Sequence, residues 1–373
     1  MIYSKFKNLK LSSLGMGTMR LPTVDGKDAH IDVEKSREIF DYAIKNGVNY
    51  FDTAWGYHGG NSELVVGELL SAYPRDSYFL ATKFPGYDAS NIGKNGEIFE
   101  KQLEKLRTDY FDFYLVHCLS ESNIEAYLDE KLGTIEYLIE QKKNGRIKHL
   151  GLSVHCSLET LIRFLDKYGR HMEFCQVQMN YIDYYFQDAK AKLEELEKRN
   201  IDVWVMEPIR GGMLANLKGD EKACVESIRE GVGQVEMAFR YLQGFEQIKV
   251  ILSGMSSIEQ IKENVRIFSE QKGTTEEENE KLYTVAAKLT GNNVPCTACK
   301  YCVSHCPKDI QIPDMIELYN KSVFKGSILK DEIEAVPLGK RPNDCIGCRS
   351  CEAVCPQQIE ISEVMTKFSE KIK

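Results

Sequence analysis

The stretch DVEKSREIFDYAIKNGVNYFDTA, Asp32 to Ala54, changes its hydrophobic period part-way along. Its first half is amphipathic with a helical repeat, opened by Asp32 as an N-cap and closed by Gly47 just past the C-terminus. Aspartate accepts a hydrogen bond from an exposed helical amide, and glycine tolerates the turn that ends a helix. The second half, NYFDTA from Asn49, is short, apolar and aromatic, as a strand should be. Strand-like runs of this kind recur as LGMGT from Leu14, YFLATKF from Tyr78, FDFYLVH from Phe111 and IKHLGLSV from Ile147. They continue with FCQVQM from Phe174, DVWVMEP from Asp202 and IKVILSG from Ile248. Helical segments such as AKAKLEELEKRN, with Leu193 and Leu196 on one face, lie between them. Eight strands alternating with helices over roughly 250 residues predict an α/β fold, a (β/α)8 TIM barrel. An open doubly wound sheet is the alternative, but no GxGxxG follows the first strand. SKFKNLKLSS, turning near Asn8, predicts a hairpin that plugs the lower end of the barrel.

After Phe268 the composition shifts to a polar, acidic stretch and then one amphipathic helix from about Thr275 to Leu289. The expected division is a barrel over residues 1–272, a helix-containing linker over 273–293 and a small domain over 294–373. That last part carries CTACKYCVSHCP, Cys296 to Pro307, and CIGCRSCEAVCP, Cys345 to Pro356. Soft thiolates in CxxCxxCxxxCP spacing suit iron–sulfur clusters, whereas four-cysteine zinc sites pair one CxxC with a distant second. In two-cluster ferredoxins the cysteine before proline reaches to the other cluster. Applied here, Cys296, Cys299, Cys302 and Cys355 hold one [4Fe–4S] cluster, and Cys345, Cys348, Cys351 and Cys306 the second. PDMIELYNKSV between the cassettes points to a mainly helical dicluster ferredoxin-like domain. Cys118, Cys156, Cys175 and Cys224 read as small buried hydrophobes.

The 373 residues are 43% hydrophobic and 28% charged, enough for a sizeable core, and the net charge of −8 excludes a general attraction to nucleic acid or anionic membrane. The N-terminal MIYSKFKNLK has no apolar signal region, no run approaches the roughly 18 apolar residues of a membrane helix, and the cysteines suit a reducing compartment. A cytoplasmic protein is expected.

Side chains at the C-terminal ends of barrel strands carry the chemistry of such folds. Those ends supply Asp52 and Tyr57 from FDTAWGY, Lys83 from ATKF and His117 from YLVHC. A phenol can give a proton to a developing alkoxide, an ammonium can stabilise the phenolate left behind, a carboxylate can hold the ammonium, and an imidazole can orient a carbonyl. In strand order these four residues resemble the catalytic tetrad of the aldo-keto reductases, and the whole chain resembles the iron–sulfur branch of that family. The resemblance, over residues 1 to 270, implies a nicotinamide cofactor, NADP(H) or NAD(H), and reduction of a small carbonyl substrate. It assigns Gly17 and Thr18 to the first strand's approach to the cofactor, Ser153 and Gln178 to the carboxamide and Tyr181 to the ring. Pro208, Arg210 and Gly211 fall in the loop over the diphosphate. Glu263 and Asn264 fall at the adenine, beside Gly254, Ser256 and Gln260 near the 2′-phosphate. Val154 stands where many members have asparagine, and Gly254 and Gln260 where NADP-specific members have lysine and arginine.

Hydride and one-electron chemistry do not couple without an intermediary such as a flavin, for which the sequence shows no motif. Three functions stay open. In the first, the barrel reduces an aldehyde or ketone with NAD(P)H and the clusters serve electron transfer, to or from a redox partner protein, or redox control. In the second, the clusters feed a barrel site holding another cofactor. The third is an iron–sulfur sensor with an inactive barrel.

Overall fold

The computed structural model describes residues 1–291, 294–325 and 330–372. The last two residues of the expected linker, 292 and 293, lie outside the described residues, as do 326–329 and 373 of the expected small domain.

Two short strands come first, β1 (Tyr3–Phe6) and β2 (Leu9–Ser12), paired antiparallel. Eight parallel strands follow: β3 (Leu14–Gly17), β4 (Tyr50–Asp52), β5 (Phe79–Phe84), β6 (Phe111–Leu119), β7 (Ile147–Val154), β8 (Phe174–Gln178), β9 (Asp202–Met206) and β10 (Ile248–Gly254). They pair in sequence order, and β10 closes on β3 with Ile251 opposite Leu14 and Gly254 opposite Gly17. This is the expected (β/α)8 barrel. Its strands read as continuous apolar runs because parallel strands are covered on both faces; all nine residues of β6 are buried. The helix Val33–Lys45 has the expected ends: the Asp32 side chain accepts from the Lys35 amide, and Gly47 takes a φ of +90°. At Gly151, in the middle of β7, an added Cβ would lie 2.5 Å from the Phe174 carbonyl oxygen, so only glycine lets the two strands close.

The β1–β2 hairpin plugs the barrel as expected. Phe6 inserts edge-on against Trp204 (5.0 Å between ring centres) and His149 (5.1 Å), within a core that includes Leu11, Tyr50, Phe113 and Phe174. Glu173, just ahead of β8, ties this end together. It accepts from His149 Nδ1 at 2.7 Å and pairs with Lys7 of the hairpin turn at 2.5 Å and with Lys142. Burial alone would raise its carboxyl, but these three partners hold it down at about 2.

By its internal contacts the chain divides into two compact units, Met1–Pro208 with Val235–Thr275, and Ile209–Gln234 with Glu276–Lys373. The segment Ile209–Gln234 thus belongs with the cluster cassettes. Its helix Gly219–Ile228 packs on helix Glu276–Thr290, where Arg229 grips Glu278 at 2.9 and 2.6 Å. The second unit has its own core, built from Ile312, Met315 and Ile316 on helix Ile312–Lys325 and Ile361, Met365 and Phe368 on helix Ile361–Ile372. Among the described residues no helix is long and apolar enough to cross a membrane.

Candidate active site

Lys83 is fully buried near the end of β5, a position tolerable for an ammonium only if its donors are met. Its Nζ donates to Asp52 Oδ1 at 2.5 Å, to the Thr53 carbonyl at 2.7 Å and to the Tyr57 hydroxyl at 3.3 Å. Asp52 ends β4 and Tyr57 opens the short 3₁₀ turn after it, so two successive strand ends converge on one amine. His117 arrives from β6 with its ring edge-on to Tyr57, 6.0 Å between centres, and its Nδ1 is buried with no hydrogen-bond partner among the described residues. The four residues singled out by strand position are therefore one cluster.

Burial sets the charges here. It pushes the Tyr57 phenol above its ordinary value, and the Lys83 charge, pulling the other way, does not make the phenol acidic. The phenol is held protonated, while the ammonium at 3.3 Å is placed to stabilise a phenolate once the proton has left. Burial likewise raises the Asp52 carboxyl against the attraction of Lys83. With Lys83 donating at 2.5 and 2.7 Å to oxygens, the arrangement is that of an ammonium–carboxylate pair. Burial and then the Lys83 charge drive His117 well below the ordinary imidazole range, leaving it neutral and able to donate one hydrogen bond.

Backbone strain aims two of these groups. Cys118, inside β6, has a φ of +57° where the pairing with β7 shifts register, and its amide donates to Ser153 Oγ at 2.8 Å. His58, after Tyr57, has a φ of +53°; its buried ring receives the Leu21 amide at 3.2 Å and sits 2.6 Å from the Asp28 carbonyl.

Of the other expected residues, Gln178 donates to Asp183 at 2.8 Å, and Tyr181 is fully buried, edge-on to Tyr241. Thr18 donates to the Asp52 carbonyl at 3.0 Å, and a Cβ at Gly17 would lie 3.4 Å from the Ser253 carbonyl oxygen. Asn264 donates to Ser253 at 3.0 Å, whereas Glu263 is exposed. Gln260 accepts from the Ser256 amide at 2.7 Å, and Ser256 Oγ donates to the Arg20 carbonyl at 2.6 Å. Pro208 is buried at the end of the first unit's long segment; Arg210 and Gly211 fall in the second unit, on the turn Arg210–Ala215. The Arg210 charge acts there on Cys296.

Three features had no sequence signal. Arg20 lies over Gly254, where its Cβ and Cγ fill the space a side chain would need, 2.9 Å from a built Cβ. Tyr87 stands edge-on to His117 at 5.0 Å. A buried network of Glu63, Thr82, Gln102 and Tyr114 braces β5 from outside, with Gln102 donating to Glu63 at 2.6 Å and to the Lys83 carbonyl at 3.0 Å.

In the second unit the cassettes cross over as the ferredoxin pattern demands. Cys296, Cys299, Cys302 and Cys355 line one small cavity, and Cys306, Cys345, Cys348 and Cys351 line another. None of the twelve cysteines, all of them among the described residues, is in a disulfide. Among the described residues no three His, Cys, Asp or Glu side chains converge as a single metal ion requires. Four thiols spread around a cavity suit a cubane better than a lone ion. Burial raises the Cys296 and Cys351 thiols to about 11, which metal binding would have to overcome by displacing the protons.

The profile of the Aldo/keto reductase family matches residues 13–287. The chain belongs to that family. Residues 295–360 match the 4Fe-4S dicluster domain, so this family member is an oxidoreductase whose barrel is followed in sequence by a dicluster domain. It is 26% identical over 305 residues to "Uncharacterized oxidoreductase YqkF" of Bacillus subtilis, covering 72% of this chain and 91% of that protein. It is 29% identical over 286 residues to L-galactose dehydrogenase of Arabidopsis thaliana, covering 70% and 86%. The holo form of aldo-keto reductase AKR11C1 from Bacillus halodurans superposes with a TM-score of 0.61 at 25% identity, over 76% of this chain and 96% of that one.

Proposed function

We propose that the barrel reduces the carbonyl group of a small aldehyde or ketone, with NAD(P)H as the hydride source and Tyr57 as the proton donor. The observation that carries this reading is Lys83, buried, 2.5 Å from Asp52 and 3.3 Å from Tyr57. The nicotinamide, when bound, supplies the hydride. Tyr57 gives its proton to the carbonyl oxygen as the oxygen gains charge, Lys83 stabilises the phenolate and Asp52 keeps Lys83 charged. His117, neutral and with one buried nitrogen unpartnered, donates to the same oxygen and orients it. Ser153, Gln178 and Tyr181 are the proposed carboxamide and ring contacts, and Gly254, Ser256, Gln260, Glu263 and Asn264 the adenosine end. Arg20, whose Cβ and Cγ lie over Gly254, is the residue proposed to supply the cation of an NADP(H) site. A solved relative from Klebsiella pneumoniae holds NADPH.

Two [4Fe–4S] clusters are assigned to the two cysteine-lined cavities, where they would supply one-electron chemistry. A reducing, cytoplasmic setting is proposed because thiolate ligands persist there.

The test is anaerobic oxidation of NADPH and of NADH with methylglyoxal, the aldehyde in the name of an Escherichia coli relative, "NADH-specific methylglyoxal reductase". Tyr57→Phe should lower kcat by at least about 100-fold, the usual worth of a positioned acid, with cofactor binding retained. Full rate in Tyr57→Phe removes the proposed donor.

A further inference from the structure

The two cassettes share one spacing but not one environment. Around Cys296 the chain is covered: Thr297 is buried, Cys296 and Cys299 are half-buried, and Arg210 contributes its charge. Around Cys348 it is open, with residues 346–350 exposed in succession. The charged side chains lining the second cavity are Lys308 and Arg349, and no carboxylate lines it. Arg349 is 69% exposed, and its acidic neighbour Glu352, 3.8 Å away, already accepts from the Ser362 amide and hydroxyl at 2.7 and 2.5 Å. Lys340 and Arg341 add two cations nearby in sequence, against Asp309 and Asp344, and Asp344 is engaged by the Arg341 amide at 2.9 Å. Over the wider stretch the charges nearly balance, so the cationic bias belongs to the cavity's own lining, Lys308 and Arg349.

The same stretch exposes large apolar side chains. Ile346, between two of the cysteines, is 61% exposed, and Leu338 is 83% exposed. Core packing accounts for neither. A small apolar contact such as Ile346 with two cations, Lys308 and Arg349, in the same cavity lining is the composition of a transient electron-transfer interface, where fast encounter matters more than affinity.

We infer that the cluster of Cys306, Cys345, Cys348 and Cys351 is the port at which the protein exchanges electrons with an acidic one-electron carrier protein. The carrier docks its carboxylates on Lys308 and Arg349 and its apolar centre on Ile346. The inference rests on the reading of these cysteines as a [4Fe–4S] site. In the exchange the reduced carrier loses one electron and the oxidised cluster gains one; no bond is made or broken and no proton moves. In the other cassette the matching cysteine, Cys299, is half-buried where Cys348 is exposed, which gives the pair a direction.

The experiment mixes the anaerobic holoprotein with a reduced acidic plant-type [2Fe–2S] ferredoxin and follows cluster reduction by stopped-flow absorbance and paramagnetic resonance. The rate constant should fall steeply as salt is raised, and Lys308→Glu with Arg349→Glu should slow it at least about tenfold at low salt. Iron content and the resonance signal after dithionite should match the unmodified protein. The milder pair Lys308→Gln with Arg349→Gln, for use if charge reversal impairs folding, should slow it in the same direction. Full iron with a rate indifferent to salt and to both pairs overturns the inference alone. A holoprotein without iron overturns the cluster reading and this inference with it.

Discussion

Asp52→Asn isolates the charge beside Lys83 while keeping the shape of the site. In the native chain the buried Nζ has three acceptors, of which only Asp52 is ionised. Replacing it with a neutral amide leaves an ammonium enclosed with a carbonyl and a phenol, an uncompensated buried charge that costs about 3–5 kcal/mol. For a barrel of this size, 3 kcal/mol corresponds to a fall in Tm of about 6–12 °C. Lys83→Met alone strands the Asp52 carboxylate and should cost a similar amount. The double variant removes both charges, and should stay within about 2 kcal/mol of the native protein because a neutral pair of similar volume leaves no uncompensated charge buried. Urea unfolding followed by tryptophan fluorescence measures this in the barrel alone, since both tryptophans, Trp55 and Trp204, lie in the first unit. Losses in the double variant that equal the sum of the singles would refute the charged pair.

Glu173 ties stability to pH. Its carboxyl sits at about 2 in the fold against an ordinary value of 4.5, so its contribution, about 3 kcal/mol, is present above pH 4.5 and lost as pH falls through 2. Acid unfolding curves should show Glu173→Gln losing this pH dependence between those limits. Gly151→Ala should destabilise the barrel by about 1–3 kcal/mol in the same urea assay, because the Phe174 backbone at 2.5 Å cannot yield as a side chain could. Cys302→Ser and Cys351→Ser should each reduce iron from roughly eight to roughly four atoms per chain, since each removes a ligand from a different cubane.

Much of the fold was legible because parallel strands announce themselves. Runs such as FDFYLVH are apolar throughout, and Asp32 and Gly47 mark a helix by local chemistry alone. The tetrad could be read because strand position fixes it: Asp52, Lys83 and His117 stand on successive strands, and Tyr57 follows the first of them. The partners that hold those residues could not. Glu63 and Gln102 lie on separate helices and meet only across the outside of β5, and Cys118 shows its left-handed bend only in the register shift between β6 and β7. Nor does sequence order reveal that Arg210, which follows a barrel strand, belongs with the cysteine cassettes through the packing of Gly219–Ile228 on Glu276–Thr290. Tyr57 shows a further limit: its neighbour Lys83 was legible, but the burial that outweighs that neighbour is a property of the closed fold.

Hydride transfer and cluster-driven reduction leave different marks on the product. The decisive measurement is mass spectrometry of the alcohol formed from methylglyoxal with nicotinamide nucleotide deuterated at the transferring carbon, the clusters being kept oxidised. Deuterium on the former carbonyl carbon, with the oxygen-bound hydrogen drawn from solvent, is the expected result. Product that forms only after the clusters are reduced, and that carries solvent hydrogen on that carbon, would contradict it.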